Sequence, residues 1–338
     1  MSIPVRIGLV GAGRWAEVHR RALAGSGAQL AGVLVRSAET RERVVADWRV
    51  EVTTEADTFF SWDFDAAIIA SPNYLHAEHA VAALKAGKHV LIEKPMATTL
   101  ADCDRILAAA RAAGKVVAVG LEMRVFTLFE RVKKLIDAGE IGAPLHLKLD
   151  LSRRPYRSGA GGWKTDPQKL GSPVLEEPIH YLDLARWYLG DPRELQAWAN
   201  SRPGRESLWE NLDVRLEFPG GARALITRSI AAYQHHLDLI LIGENGALRA
   251  TWDGLMDADP EPEVALTLHN DRGTTPLEIS RHTGHAHDVP RQTRAFLAAI
   301  RQGTQPIVSA RDGRVAVALC LAVEESLRSG SRVIELGV

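Results

Sequence analysis

The chain has 338 residues, enough for two domains of ordinary size with a core each. Apolar residues make up 46% and charged residues 25%, which excludes the disordered and fibrous classes. A net charge of −1 leaves no electrostatic footprint for nucleic acid and no polybasic membrane anchor. Cys103 and Cys320 are too few for a disulfide framework or a four-thiolate zinc site. No apolar run reaches the roughly 18–20 residues of a membrane span. Ile3 to Val10 runs straight into a glycine turn without a signal-peptide cleavage site. A cytoplasmic, reducing location is expected.

The first third alternates strand and helix. Val5 to Val10 reads as a buried strand, followed by strands at Leu30–Val35, Asp65–Ala70, His89–Ile92 and Val116–Gly120. Ala77, Ala80, Val81 and Leu84 recur at helical spacing, with Gly87 placed to stop that helix. Thr99 with Asp102 approximates a capping box ahead of Ile106, and Gly114 closes the segment. This alternation predicts a doubly wound parallel sheet covered on both faces, ending near residue 122.

Beyond that point the period changes. Leu145, Leu147, Leu149 and Leu151 alternate with His146, Lys148 and Asp150, and Val214–Phe218 and Val264–Leu268 repeat the pattern. Leu237–Ile242 is a further apolar stretch, and residues 290–302 and 313–328 read as helices. The expected second domain, 123–338, is α+β with a large, mostly antiparallel sheet. Its open face is available to a site or to another subunit. No Pro-, Gly- or Ser-rich linker separates the two.

Gly11-Ala12-Gly13-Arg14-Trp15-Ala16 follows a strand and opens a helix, the context a dinucleotide fingerprint requires. Gly11 allows the tight turn, Gly13 lets a pyrophosphate approach the backbone, and Ala16 lets helix and strand pack closely. A methyl-donor nucleotide fold would start the same way. An acid that would accept ribose hydroxyls is missing from the end of strand two, which reads Val35-Arg36-Ser37 with Arg41 nearby. Arg36, Ser37 and Arg41 suit a 2′-phosphate, so NADP is preferred over NAD. The alternative is a solvated helix start.

Ser71-Pro72-Asn73 and Glu93-Lys94-Pro95 both lie just past strand ends, where open parallel sheets bind ligands. A lysine there can neutralise a developing alkoxide, and Pro95 suits a cis bond. Glu176 to Asp183 contains Pro178 at a first helical position, with His180, Asp183 and Trp187 on one helix face. Glu176 and Asp183 stand close enough in sequence to tune the basicity of His180. His285, His287 and Asp288 lack a third well-spaced ligand, and no metal is expected.

Together these residues resemble the glucose-fructose oxidoreductase/inositol dehydrogenase (Gfo/Idh/MocA) family over nearly the whole chain. The likeness runs through the glycine turn, Ser71-Pro72-Asn73 with His76, Glu93-Lys94-Pro95, Leu175 to Asp183, Ile242 to Gly246, and the ending with Phe296, Gly303 and Arg311-Asp312-Gly313. It implies a Rossmann domain, an open-faced antiparallel α/β domain that builds homodimers or homotetramers, and hydride transfer between nicotinamide and a sugar or cyclitol carbon. The catalytic lysine carries over to Lys94 and the catalytic histidine to His180. The usual aspartate four residues before the histidine is Glu176, and the usual glycine two before it is Pro178.

The implied cofactor set is Gly11, Gly13, Arg14, Trp15, Arg36, Ser37, Arg41, Ser71, Pro72, Asn73, His76, Glu93 and Lys94. The implied substrate set is Lys94, Arg124, Arg153, Trp163, Lys164, Glu176 and His180, in which Trp163 would stack on a sugar ring. Arg154, Tyr156 and Arg157 add cations and a ring to the same stretch. Two other functions fit the same residues: a redox-neutral enzyme that oxidises a sugar transiently to cleave a glycosidic bond, and a non-catalytic NAD(P) sensor.

Overall fold

A strand buried on both faces has no polar side to show, and the first strands are written that way. In the computed structural model, which describes residues 4–155, 162–163, 166–232, 235–254, 261–280 and 285–337, β1 (Val5–Val10) leads into α1 (Arg14–Leu23). Then come β2 (Ala28–Leu34), α2 (Ala38–Trp48), β3 (Val52–Thr53), α3 (Ala56–Ser61), β4 (Ala66–Ile69), α4 (His76–Lys85), β5 (His89–Glu93), α5 (Leu100–Ala113) and β6 (Val117–Gly120). The strands pair in parallel in the order β3-β2-β1-β4-β5-β6. All four residues of β4 are fully buried, as are Val90, Leu91 and Ile92 of β5. β3 is an edge of two residues, too short to leave a periodic signal, and the sequence reading missed it.

The order reverses between β1 and β4, so this sheet has its switch point, and its ligand crevice, beside the glycine turn. Local chemistry sets the helix ends. Thr99 Oγ1 accepts the Asp102 N–H at 3.1 Å to start α5, and Gly114 stops it at φ +61°.

The remaining elements are α6 (Thr127–Asp137), β7 (Pro144–Ser152), α7 (Pro167–Leu170), α8 (Pro173–Glu176), α9 (Pro178–Leu189), β8 (Glu194–Asn200), β9 (Asn211–Glu217) and β10 (Arg223–Ser229). They continue through β11 (His236–Gly243), β12 (Gly246–Asp253), β13 (Glu263–Asn270), β14 (Gly273–Leu277), α10 (His285–Gln302), α11 (Ala310–Arg328) and β15 (Ile334–Glu335). The second sheet runs β14-β13-β12-β11-β7-β10-β9-β8-β15. It is antiparallel throughout except for the β7–β10 pair. Leu147, Leu149, Leu151, Val214, Leu216, Ile226, Leu239 and Leu241 line its buried face, against which α9 packs. Trp198, Leu225 and Ile242 lie on the opposite face, on three different strands, and are exposed. Among the described residues no helix is long and apolar enough to cross a membrane.

The chain divides into two units, each discontinuous in sequence. One comprises Met1–Leu121, Ser158–Gly171 and Val289–Val317, and the other Glu122–Arg157, Ser172–Asp288 and Ala318–Val338. The first crossing falls next to the boundary drawn at 122, and the chain returns twice to the first unit after it. Phe296 and Leu297 of α10 join Ile7, Leu9, Ala16 and Val33 in the first unit's core. Periodicity marks α10 as a helix but not which core it fills.

Candidate active site

The glycine turn fits a dinucleotide. Gly11 has φ +107°, and a Cβ on it would stand 2.5 Å from the Ala70 carbonyl oxygen, so only glycine passes β4 here. Gly13 has an ordinary φ of −79° and nothing within 4 Å of where a Cβ would be. It opens α1 without a side-chain cap, so the leading amides of that helix have no side chain of Gly13 to satisfy them. Open space beside uncapped amides at the positive end of a ten-residue helix is what a pyrophosphate needs. Ala16 is fully buried, Trp15 half-buried and Arg14 exposed. Arg43 Nη2 donates to the Ala12 carbonyl at 3.0 Å, a buttress that spacing could not reveal.

At the end of β2 the expected cations divide. Ser37 Oγ accepts the Thr40 N–H at 3.3 Å and caps α2, while Arg41 Nε donates to the Val52 carbonyl at 3.0 Å. Both side chains thus have a structural task. Val35 is buried in the core, and Arg36 stands exposed.

The loops after β4 and β5 are tied together by one imidazole. His76 places Nδ1 2.7 Å from the Pro95 oxygen and Nε2 2.8 Å from the Ser71 oxygen. Burial pushes its pKa down, against the pull of the two carbonyls. His79 Nδ1 lies 3.0 Å from Ser71 Oγ, and burial pushes the His79 pKa down to about 4. Asn73 Nδ2 donates to the Leu170 carbonyl at 3.3 Å, fastening α7 over the turn that follows β4. The Lys94–Pro95 peptide is cis, and Lys94 is half-buried.

Glu93 is buried, with Oε1 2.6 Å from His19 Nε2 and Oε2 accepting the Lys94 N–H at 3.3 Å. In these contacts Glu93 and His76 act on protein groups, holding the backbone that carries Lys94 and Ser71. His19 escaped the sequence reading because a histidine on an amphipathic helix carries no sign of its partner 74 residues away.

In the second unit the acid-rich stretch around α9 is buried. Glu176 closes α8, and Glu177 accepts from Arg153 Nη1 at 2.5 Å with Arg228 Nε at 3.8 Å. Pro178 takes the first position of α9 as predicted. His180 and Glu122, each only 3% exposed, bring Nε2 and Oε1 to 3.7 Å. Asp183, read from sequence as a neighbour that tunes His180, is gripped by Arg124: Nε donates to Oδ2 at 2.8 Å and Nη2 to Oδ1 at 2.6 Å. The Arg124 guanidinium also lies over the Trp187 ring, 5.6 Å from its centre. Arg124 and Arg153, both assigned to substrate by sequence, therefore hold carboxylates of the protein.

Sequence reasoning missed Glu122. An acid directly behind the buried strand β6 was the available signal. Trp163 is half-buried. Lys164, Tyr156, Arg157 and the side chains of His285 and His287 lie outside the described residues.

A family model described as an oxidoreductase family with an NAD-binding Rossmann fold matches residues 5–121. The GFO/IDH/MocA C-terminal domain matches residues 129–249. Inositol 2-dehydrogenase 3 of Saccharopolyspora erythraea is 30% identical, over 97% of this chain and 95% of its own. The 1,5-anhydro-D-fructose reductase of Ensifer adhaerens is 28% identical, over 98% and 99%. An aldose-aldose oxidoreductase from Caulobacter crescentus superposes with a TM-score of 0.84 at 22% identity, covering 98% of this chain and 100% of that one. A levoglucosan dehydrogenase in complex with NADH and levoglucosan gives 0.86 at 20%, covering 99% and 100%. At these identities the two structures speak for the fold. The chain belongs to the Gfo/Idh/MocA oxidoreductase family, and it is an NAD(P)-dependent oxidoreductase.

Proposed function

We propose that the protein interconverts a secondary alcohol and a carbonyl on a sugar, sugar acid or cyclitol, using Lys94 and His180. The observation that carries this reading is His180 itself: a buried imidazole in the first turn of α9, whose Nε2 faces a buried carboxylate. The names of the relatives, inositol 2-dehydrogenase and 1,5-anhydro-D-fructose reductase, support a polyol-like substrate.

When bound, the nicotinamide takes up or returns the hydride at the reacting carbon. In the oxidative direction His180 accepts the hydroxyl proton and becomes an imidazolium. The Lys94 ammonium neutralises the alkoxide that the proton leaves behind, the charge a metal supplies elsewhere. Glu176 orients His180 or accepts a neighbouring hydroxyl. Glu93, held by His19, and His76, held between Ser71 and Pro95, fix the backbone on which Lys94 is carried.

NADP(H) is the preferred cofactor on this reading, supported by neutral Val35 and exposed Arg36. Copies of the chain pair as a homodimer or homotetramer through the open sheet face, a surface supported by exposed Trp198, Leu225 and Ile242. Light scattering on a Trp198→Glu variant checks the assembly, which should fall to a smaller species. The function is tested by initial rates on a panel of inositols, sugars and sugar acids with NAD⁺ and NADP⁺. Reduced-cofactor formation that depends on Lys94 and His180 is the expected result. Silence across the panel from a folded, cofactor-binding protein would overturn it.

A further inference from the structure

The geometry assigns Glu122 as the charge partner of His180. This rests on the reading of His180 as the base. Glu122 belongs to the short 3-10 turn Glu122–Val125 directly after β6, and its carboxylate reaches the ring nitrogen Nε2 at 3.7 Å. That separation is too long for a hydrogen bond and right for an ion pair, so the contact strengthens only when the ring is charged. Both side chains are 3% exposed, where solvent screens the interaction little.

During oxidation the substrate O–H bond breaks and an N–H bond forms on His180. The carbinol carbon gives its hydride, with both electrons, to the nicotinamide, and the carbonyl remains. The one charge that the protein must accommodate after the proton moves is the imidazolium. A fixed anion beside it lowers the cost of that state, and it also makes the resting ring harder to deprotonate.

Among the described residues, the buried charged groups beside His180 on α9 and the elements packed against it include ones already paired. Asp183 is held by Arg124, and Glu177 by Arg153 with Arg228 nearby. On α6, Lys134 pairs with Glu130 and Lys133 with Asp137. On β7, Lys148 and Asp150 point to the exposed sheet face. Glu176 closes α8 two residues before α9 begins and is a second buried carboxylate in this stretch.

The test is the pH dependence of kcat/KM for oxidation of whichever polyol the panel identifies, with the His180 ring titrated in parallel by NMR on the cofactor-bound protein. In Glu122→Gln the rising limb should move to lower pH, on the order of one unit, because removing the anion favours the neutral base. The ring titration should move with it. Glu122→Met, which keeps the volume and removes the charge, should give the same shift, and serves if the glutamine variant does not fold. Glu122→Asp keeps the charge, and should lie between wild type and Gln. A limb and a ring titration that stay put in a folded, uncharged variant overturn the assignment. A His180→Asn variant distinguishes the two readings. If it loses the limb while Glu122→Gln leaves it unmoved, the Glu122 assignment alone fails. If it keeps wild-type turnover and limb, the base reading fails too.

Discussion

His19 and Glu93 meet at 2.6 Å inside the nucleotide-binding unit, linking the helix after the glycine turn to the residue that precedes Lys94. Removing the imidazole leaves a buried carboxylate short of a partner. His19→Ala should therefore cost about 1.5–3 kcal/mol, the range for hydrogen bonds to charged groups. It should also lower kcat, because the Glu93 carboxylate accepts the Lys94 N–H. Urea unfolding and steady-state rates on His19→Ala and His19→Gln check both. Wild-type stability in the alanine variant would mean that the pair contributes nothing net.

The two glycines of the turn should fail differently. Gly11→Ala is strained in backbone and blocked by the Ala70 oxygen, so it should unfold more easily. Gly13→Ala meets nothing in the protein, so its thermal midpoint should stay near wild type while cofactor affinity falls. Calorimetry with and without cofactor separates these outcomes. Undiminished affinity in Gly13→Ala would remove the pyrophosphate from that space.

Arg36→Ala should weaken NADP(H) binding roughly 10- to 100-fold, matching the ~1.5–3 kcal/mol of a charged hydrogen bond, and leave NAD(H) nearly unchanged. This substitution is cleaner than Val35→Asp, which would put a carboxylate where the structure has a core valine. Direct titration with both cofactors decides it. Equal losses for the two would count against a 2′-phosphate contact.

Acid should loosen the first unit through His79. Its folded pKa of about 4 lies below the unfolded value near 6.5, so the unfolded chain binds the proton first. Stability is whole above pH 6.5 and falls as the pH drops toward 4, by roughly 3 kcal/mol from this group. Buried His76 is shifted the same way and adds to the slope. Urea midpoints at pH 7 and 4.5 measure the fall, which His79→Gln should flatten. An equal slope in that variant would place the effect elsewhere.

Arg124→Met should destabilise the second unit by about 3–5 kcal/mol, since it strands Asp183 in the interior. Adding Asp183→Leu should recover most of that loss. A double variant no better than the single would show that the pair's value lies in packing over Trp187 rather than in charge.

Much of this arrangement can be read along the chain because it is local. The glycine turn, the Thr99 cap of α5, Pro178 at the start of α9 and the leucines of β7 each announce themselves within a few residues. Lys94 and His180 are proposed because their neighbours form motifs. The pairings are another matter. Glu122 with His180, Arg124 with Asp183 and His19 with Glu93 join residues 58 to 74 positions apart. An acid or a base shows in sequence that a charge exists, not where it is satisfied. For the same reason Ser37 and Arg41, chosen for their donors, turned out to cap a helix and bind a carbonyl of the edge strand.

The discontinuous units also limit how this protein can be cut. A fragment ending at Leu121 would keep the glycine turn and Lys94 yet lose Phe296 and Leu297, leaving the core around Ile7 and Leu9 partly unfilled. A graft of 122–338 onto another nucleotide-binding domain would bring α10 with it, sized for the core it left. Recombination at a single junction should therefore yield insoluble chimeras. An exchange that preserves both cores has to move 289–317 together with the N-terminal segment.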